Sequence, residues 1–201
     1  MIRLVILLAA ALLAAGCDQN VGPAGTAPPS GAQAPARAPS SPPAGNSAAG
    51  ITWTVPESWQ TEPARTMRVA TYRVPGAEGA EAGEVAVFFF GAGQGGDIDA
   101  NLKRWIGQFD QPGGGSSERA ARTGQRTVNG LQVTTVTVTG TYTAGGGPMA
   151  PGGEPKTGYK LIGAIVEAPE GAVFFKFTGP EKTVDGASRH FDELLQSVRR
   201  P

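Results

Sequence analysis

Between Val21 and Gly50, 25 of 30 residues are Ala, Gly, Pro or Ser, and Arg37 carries the only charge. Such a stretch has almost no large apolar surface to offset chain entropy, so no packed core is expected from it. Its 7 prolines bias it toward extended polyproline II. Every Trp, Phe and Tyr of the 201-residue chain lies after Thr52. The sequence therefore predicts one domain over 51–201, hung on a disordered tether over 17–50. About 150 residues bury roughly 68–70% of their unfolded surface, enough for a single domain.

Ahead of the tether stands MIRLVILLAAALLAAGC. Arg3 supplies a positive start, and Leu4–Ala15 is an unbroken apolar run of 12 residues. A membrane-spanning helix needs roughly 20. The run has the length and flanks of a signal peptide over 1–16. Leu13-Ala14-Ala15-Gly16-Cys17 is similar to a bacterial lipobox, with Ala14 where a large aliphatic residue is usual. Cys17, the only cysteine, is then the residue that takes up lipid. Two or three acyl chains hold a protein firmly to a membrane without spanning it. The expected place is the bacterial cell envelope, and Asp18 after the cysteine resembles the enterobacterial signal for the inner membrane.

Charge and composition remove several function classes. Lys+Arg and Asp+Glu are 17 each, so there is no basic field for nucleic acid. One Cys excludes an internal disulfide or a cysteine zinc site, and one His, His190, excludes a histidine-pair metal motif. No metal, no cofactor and no catalytic residue are expected. Glu78, Glu81 and Glu84 read as a solvated loop rather than a hard-cation site. Trp53, Trp59 and Trp105 read as core anchors.

Within 51–201 the β signals are Ile51–Val55, Met67–Val74, Glu84–Phe90, Arg122–Val128, Leu131–Thr143, Tyr159–Glu167 and Val173–Thr178. The continuous apolar character of 84–90 suggests a strand covered on both faces. Asn129-Gly130 predicts a tight hairpin, and Ala168-Pro169-Glu170-Gly171 a second. Ile98, Leu102, Trp105, Ile106 and Phe109 share one face of a helix over Asp97–Asp110, with Asp97 as N-cap. Val184, Phe191, Leu194, Leu195 and Val198 predict another over Thr183–Arg199, with Thr183 as N-cap. The expected class is α+β, with a mainly antiparallel sheet of six to seven strands and helices packed on it.

Trp53-Thr54-Val55-Pro56-Glu57-Ser58-Trp59 opens the domain. The strand 84–90 then leads through Gly91-Ala92-Gly93-Gln94-Gly95-Gly96 into a helix carrying Asn101, Arg104, Trp105 and Phe109. Gly179-Pro180 precedes the last helix, with Phe191, Leu194, Leu195 and Ser197. This pattern resembles the PsbP-like α/β/α sandwich superfamily, which includes many bacterial lipoproteins of unknown role. The resemblance implies a sandwich fold and a binding or assembly role without a shared catalytic motif.

Gly91-x-Gly93-x-x-Gly96 also matches a dinucleotide fingerprint, but its helix leads into Gln111-Pro112-Gly113 and a hairpin rather than a parallel crossover. Tight turning explains the glycines more simply. Gly93, Gln94, Gly95 and Gly96 are nonetheless the candidate ligand-binding residues. The expected function is a lipid-anchored envelope protein whose non-catalytic domain binds a protein or peptide. The alternative is an envelope enzyme or small-ligand protein using a groove near Gly91–Asp97.

Overall fold

The computed structural model describes residues 46–144 and 154–201. The expectations for the signal peptide, for acylation of Cys17 and for the tether as far as residue 45 lie outside the described residues. Residues 46–50, expected in the tether, are folded. Strand β1 (Ser47–Ala48) pairs with β2 (Ile51–Thr52) across Ala49-Gly50, whose φ values are 52° and 74°. Ala49 is buried, and its carbonyl accepts from the Glu170 N–H. A run of small residues still folds when its backbone groups find partners in the neighbouring domain.

The remaining strands are β3 (Gln60–Thr61), β4 (Ala70–Val74), β5 (Gly83–Phe89), β6 (Phe109–Asp110), β7 (Arg122–Val128), β8 (Leu131–Tyr142), β9 (Lys156–Ala168) and β10 (Gly171–Pro180). They form one sheet in the order β3-β4-β5-β10-β9-β8-β6, with β7 also paired to β8. Every pairing is antiparallel. The sheet has eight strands, not six to seven. The two that the pattern did not predict, β3 and β6, have 2 residues each, too short to show any alternation. Conversely, the predicted strand at 51–55 is not in this sheet; Thr52 instead bridges to Arg199 near the chain's end.

The helices are α1 (Ile98–Ile106), α2 (Ser117–Ala120) and α3 (Glu181–Gln196). Asp97 caps α1 as expected, accepting from the Ala100 N–H at 3.1 Å. The helix stops three residues earlier than its apolar stripe, because Phe109–Asp110 pairs with the free edge of β8 opposite Tyr142 and Thr141. Helix α3 starts at Glu181, after Pro180, and Thr183 is not its cap. The buried Thr183 hydroxyl instead donates to the Glu81 carbonyl and accepts from the Ala77 N–H, tying the 76–82 turn to the helix.

Strand alternation sorts the side chains into two cores. On one face Tyr72, Val85, Val87, Phe175 and Phe177 meet Val184, Phe191, Leu194 and Leu195 of α3, with Trp53 and Trp59. On the other, Val136, Val138, Leu161, Ile165 and Phe174 meet Leu102, Trp105 and Ile106 of α1. Gly163 makes room there, since a Cβ on it would lie 2.4 Å from the Trp105 ring. At 1.5 Å per residue, the 9-residue α1 is about 14 Å long. It therefore covers only part of its face, and among the described residues no helix lies over the strip of β4, β5 and β10. This corrects the expectation that 84–90 is covered on both faces: Val85 and Val87 lie in the α3 core, whereas Glu84, Ala86 and Phe88 line the open strip.

Candidate functional site

The open strip is a groove of about 840 Å³. Ala86 and Thr178 lie along its strands, where larger side chains would fill the space. Phe88, Tyr142 and Tyr159 supply its rings, the two tyrosines stacked at 6.1 Å with planes 11° apart. Arg68 lies over the Phe88 ring, its guanidinium carbon 5.6 Å from the centroid.

Lys176 lines the groove from the middle of β10, inside the otherwise apolar run Val173–Phe177. Alternation puts it on the face opposite Phe175 and Phe177. Its Nζ donates to Gln108 Oε1 at 2.6 Å and to Tyr142 OH at 3.2 Å, and sits 5.3 Å from the Tyr142 ring centroid. Both hydrogen-bond partners are neutral. Among the described residues no carboxylate lies within ion-pairing distance of it. Burial pushes the ammonium down to about 8; Glu84 works against that shift, and Arg68 and Arg104 reinforce it. An ammonium has three protons to donate, and the described residues accept two of them.

The other acids and bases around the groove largely satisfy one another. Glu84 pairs with Arg65 and Arg68, at 3.1 and 2.9 Å, and Arg65 also holds Glu62. The Tyr159 hydroxyl donates to Glu81 at 2.8 Å and accepts from Lys156 at 3.1 Å. These contacts hold Glu81 below the usual carboxylate range, with the Tyr159 hydrogen bond the larger cause. Burial pushes the phenols of Tyr142 and Tyr159 up. The Thr178 hydroxyl is buried with no hydrogen-bond partner among the described residues.

The residues singled out from the sequence lie elsewhere. Gly93, Gln94, Gly95 and Gly96 form the turn between β5 and α1. Gly93, Gly95 and Gly96 have φ of 68°, 94° and 78°, conformations glycine adopts without strain. The Gly95 carbonyl accepts from Asn101 Nδ2 at 2.7 Å, and the Asp97 carboxylate occupies the α1 N-terminus. The turn is thus held by a side chain of α1, and the helix end beside it is capped by Asp97. Glu78, Glu81 and Glu84 diverge onto Lys182, Lys156 and the Arg65–Arg68 pair. Among the described residues no cluster suits a metal ion. His190 is exposed on α3, in a shallow cleft with Ser58 and Trp59. Trp53, Trp59 and Trp105 are all buried.

Sequence reading missed Lys176, Tyr142 and Tyr159. One signal was present: a lysine in the middle of an apolar strand is rarely placed there for packing.

Fold and groove together define an α+β domain built on an antiparallel sheet, with helices against both faces and one face left partly open. No family model matches the sequence, and no curated protein matches it. Among solved structures it is similar to the cyanobacterial PsbP of Synechocystis, at 10% identity, covering 82% of this chain and 100% of that one, with a TM-score of 0.45. It is also similar to a Pseudomonas aeruginosa protein of unknown function, at 10% identity, covering 73% of this chain and 94% of that one, with a TM-score of 0.41. A PsbP protein thus stands among the structural neighbours.

Proposed function

We propose that this protein is a lipoprotein of the bacterial cell envelope, anchored through acylated Cys17, whose PsbP-like sandwich domain is a non-catalytic module binding a protein or peptide through the open face of its sheet. The observation that carries the binding role is Lys176: a half-buried ammonium whose hydrogen-bond partners among the described residues are all neutral, in a groove walled by aromatic rings. Desolvating a charge without a counter-ion is costly to a fold. A site that binds something tolerates such a cost where a packing site does not. The anchoring rests on the lipobox at 13–17 and on an apolar run too short to span a bilayer. Asp18 favours the inner membrane.

Two measurements test this. Cys17→Ser should move the full-length protein from the detergent-extracted membrane fraction to the soluble fraction; retention in the membrane overturns the anchor. A photo-crosslinking residue at Ala86, in the groove, should give a discrete protein adduct in intact cells, while the same residue at the exposed Arg189 on α3 should not. The opposite pattern would move the binding face to α3.

A further inference from the structure

We infer that Lys176 anchors a carboxylate subsite, which takes the free C-terminal carboxylate of a partner peptide while the apolar side chain of the same terminal residue packs against the ring edges of Tyr142, Tyr159 and Phe88. This rests on the groove being the binding face and names what it binds.

Three observations lead there. The first is the vacancy in hydrogen bonding. Among the described residues the Lys176 Nζ has partners for two of its three protons, and the buried Thr178 hydroxyl on the same sheet face has none. A carboxylate offers two oxygens able to accept from several donors.

The second is charge. The charges that act on Lys176 are Glu84 on β5, Arg68 before β4 and Arg104 on α1, and the neutral Gln108 and Tyr142 accept its hydrogen bonds. Glu84 is already held by Arg65 and Arg68, and Arg104 bonds Asn101. Arg73, also lining the groove, has no ion pair among the described residues. Glu62, Glu81, Glu84 and Glu154 line the same groove. Uncommitted positive charge at Lys176 suits an anion, while four carboxylates in the lining disfavour a doubly charged one such as a phosphate monoester.

The third is distance. The ammonium lies 5.3 Å from the Tyr142 ring centroid. Lys176 stands over one ring of the Tyr142–Tyr159 stack and Lys156 over the other, so an apolar group reaches their edges, and a ligand that does so while its anion accepts from the ammonium carries the two groups only a few bonds apart. A C-terminal residue does so, because carboxylate and side chain share one Cα. The carboxylate of an internal Glu or Asp stands on a side chain of its own.

The test is titration calorimetry at pH 7 on the detergent-solubilised full chain. The probes are N-acetyl-Ala-Ala-Phe with a free carboxylate, the same peptide as its C-terminal amide, and 3-phenylpropanoic acid. The free-acid peptide should bind at least tenfold more tightly than the amide. Lys176→Met should reduce the acid to the level of the amide and leave the amide unchanged. Lys176→Arg, which keeps the charge, should retain most of the preference, and thermal melts of both variants establish that they are folded. Equal binding of acid and amide, both weakened by Tyr159→Ala, overturns the carboxylate subsite while leaving the groove as the binding face. Phenylpropanoate binding as tightly as the peptide, with the same dependence on Lys176, overturns the peptide end as the source of the anion. Binding of none of the three overturns the subsite together with the peptide-binding reading of the groove.

Discussion

The indole N–H of Trp53 donates to the phenol oxygen of Tyr72 at 2.9 Å, and both side chains are buried. The bond joins the segment that opens the domain to a strand of the sheet. It also lets two polar atoms enter a core in which Phe175 packs edge-on against Trp53 and Trp59 lies against Tyr72. Burial pushes the Tyr72 phenol up to about 12, with the Trp53 hydrogen bond working the other way. Tyr72→Phe removes the acceptor and leaves a buried N–H without this partner. A loss of about 1–3 kcal/mol is expected. The urea midpoint should fall with the slope unchanged, and an unchanged midpoint would show that the bond contributes nothing net.

Trp105 and Gly163 form a matched pair on the other face. A Cβ at Gly163 would lie 2.4 and 2.5 Å from two atoms of the indole. Gly163→Ala should cost about 1–3 kcal/mol through overpacking. Trp105→Ala should cost about 3–5 kcal/mol through the cavity it leaves. Because the second change removes the ring that the first one strikes, the double variant should be less destabilised than the sum. Additive costs in the cycle would mean that the indole is not what excludes a methyl group from position 163.

The glycine turn separates two costs. At Gly93 a Cβ meets nothing within 4 Å, so Gly93→Ala should lose only about 1–2 kcal/mol for a left-handed conformation. At Gly95 a Cβ would lie 2.9 Å from the Phe174 ring and 3.1 Å from the Phe90 ring, besides the positive φ. Gly95→Ala should therefore be the more destabilised of the two in thermal melts. Millimolar dinucleotide should shift the melt of neither the parent nor the Gly93 variant. A shift in the parent that Gly93→Ala abolishes would restore the nucleotide reading of this turn.

Lys176 gives the fold a pH signature. Its folded pKa is about 8, against 10.5 for the ordinary lysine, so over that interval the unfolded chain binds a proton that the folded chain has released. Stability should therefore rise with pH from about 8 to about 10. Above about 10 the trend should reverse, because Tyr72, Tyr142 and Tyr159 keep protons in the fold that the unfolded chain gives up. Lys176→Met should abolish the rise and keep the fall. At pH 7 it should be more stable than the parent by on the order of 2 kcal/mol, a figure reduced from the full shift for solvent screening. A variant less stable than the parent at pH 7 would show that the lysine serves packing.

Several features of this protein belong to the sequence alone. The apolar run at 4–15, the Ala, Gly, Pro and Ser bias of 21–50 and the placing of every aromatic side chain after Thr52 are compositional. The helices α1 and α3 follow from apolar spacing, and the two hairpins from Asn129-Gly130 and Pro169-Glu170, because turns and amphipathic faces are local chemistry. What tertiary structure decided is whatever depends on length matching and edges. Phe109 carries a helical spacing yet ends in a strand, because the edge of β8 was free to pair with it. Thr183 has the chemistry of a helix cap yet tethers a turn, because Glu81 and Ala77 approach it across about a hundred residues of chain. The groove arises the same way. Tyr142, Tyr159 and Lys176 sit on three different strands, and alternation alone says only that each faces one side or the other. They line one groove because a helix of 9 residues is too short to reach across the sheet beneath it, and the extent of that reach is not written at any single position.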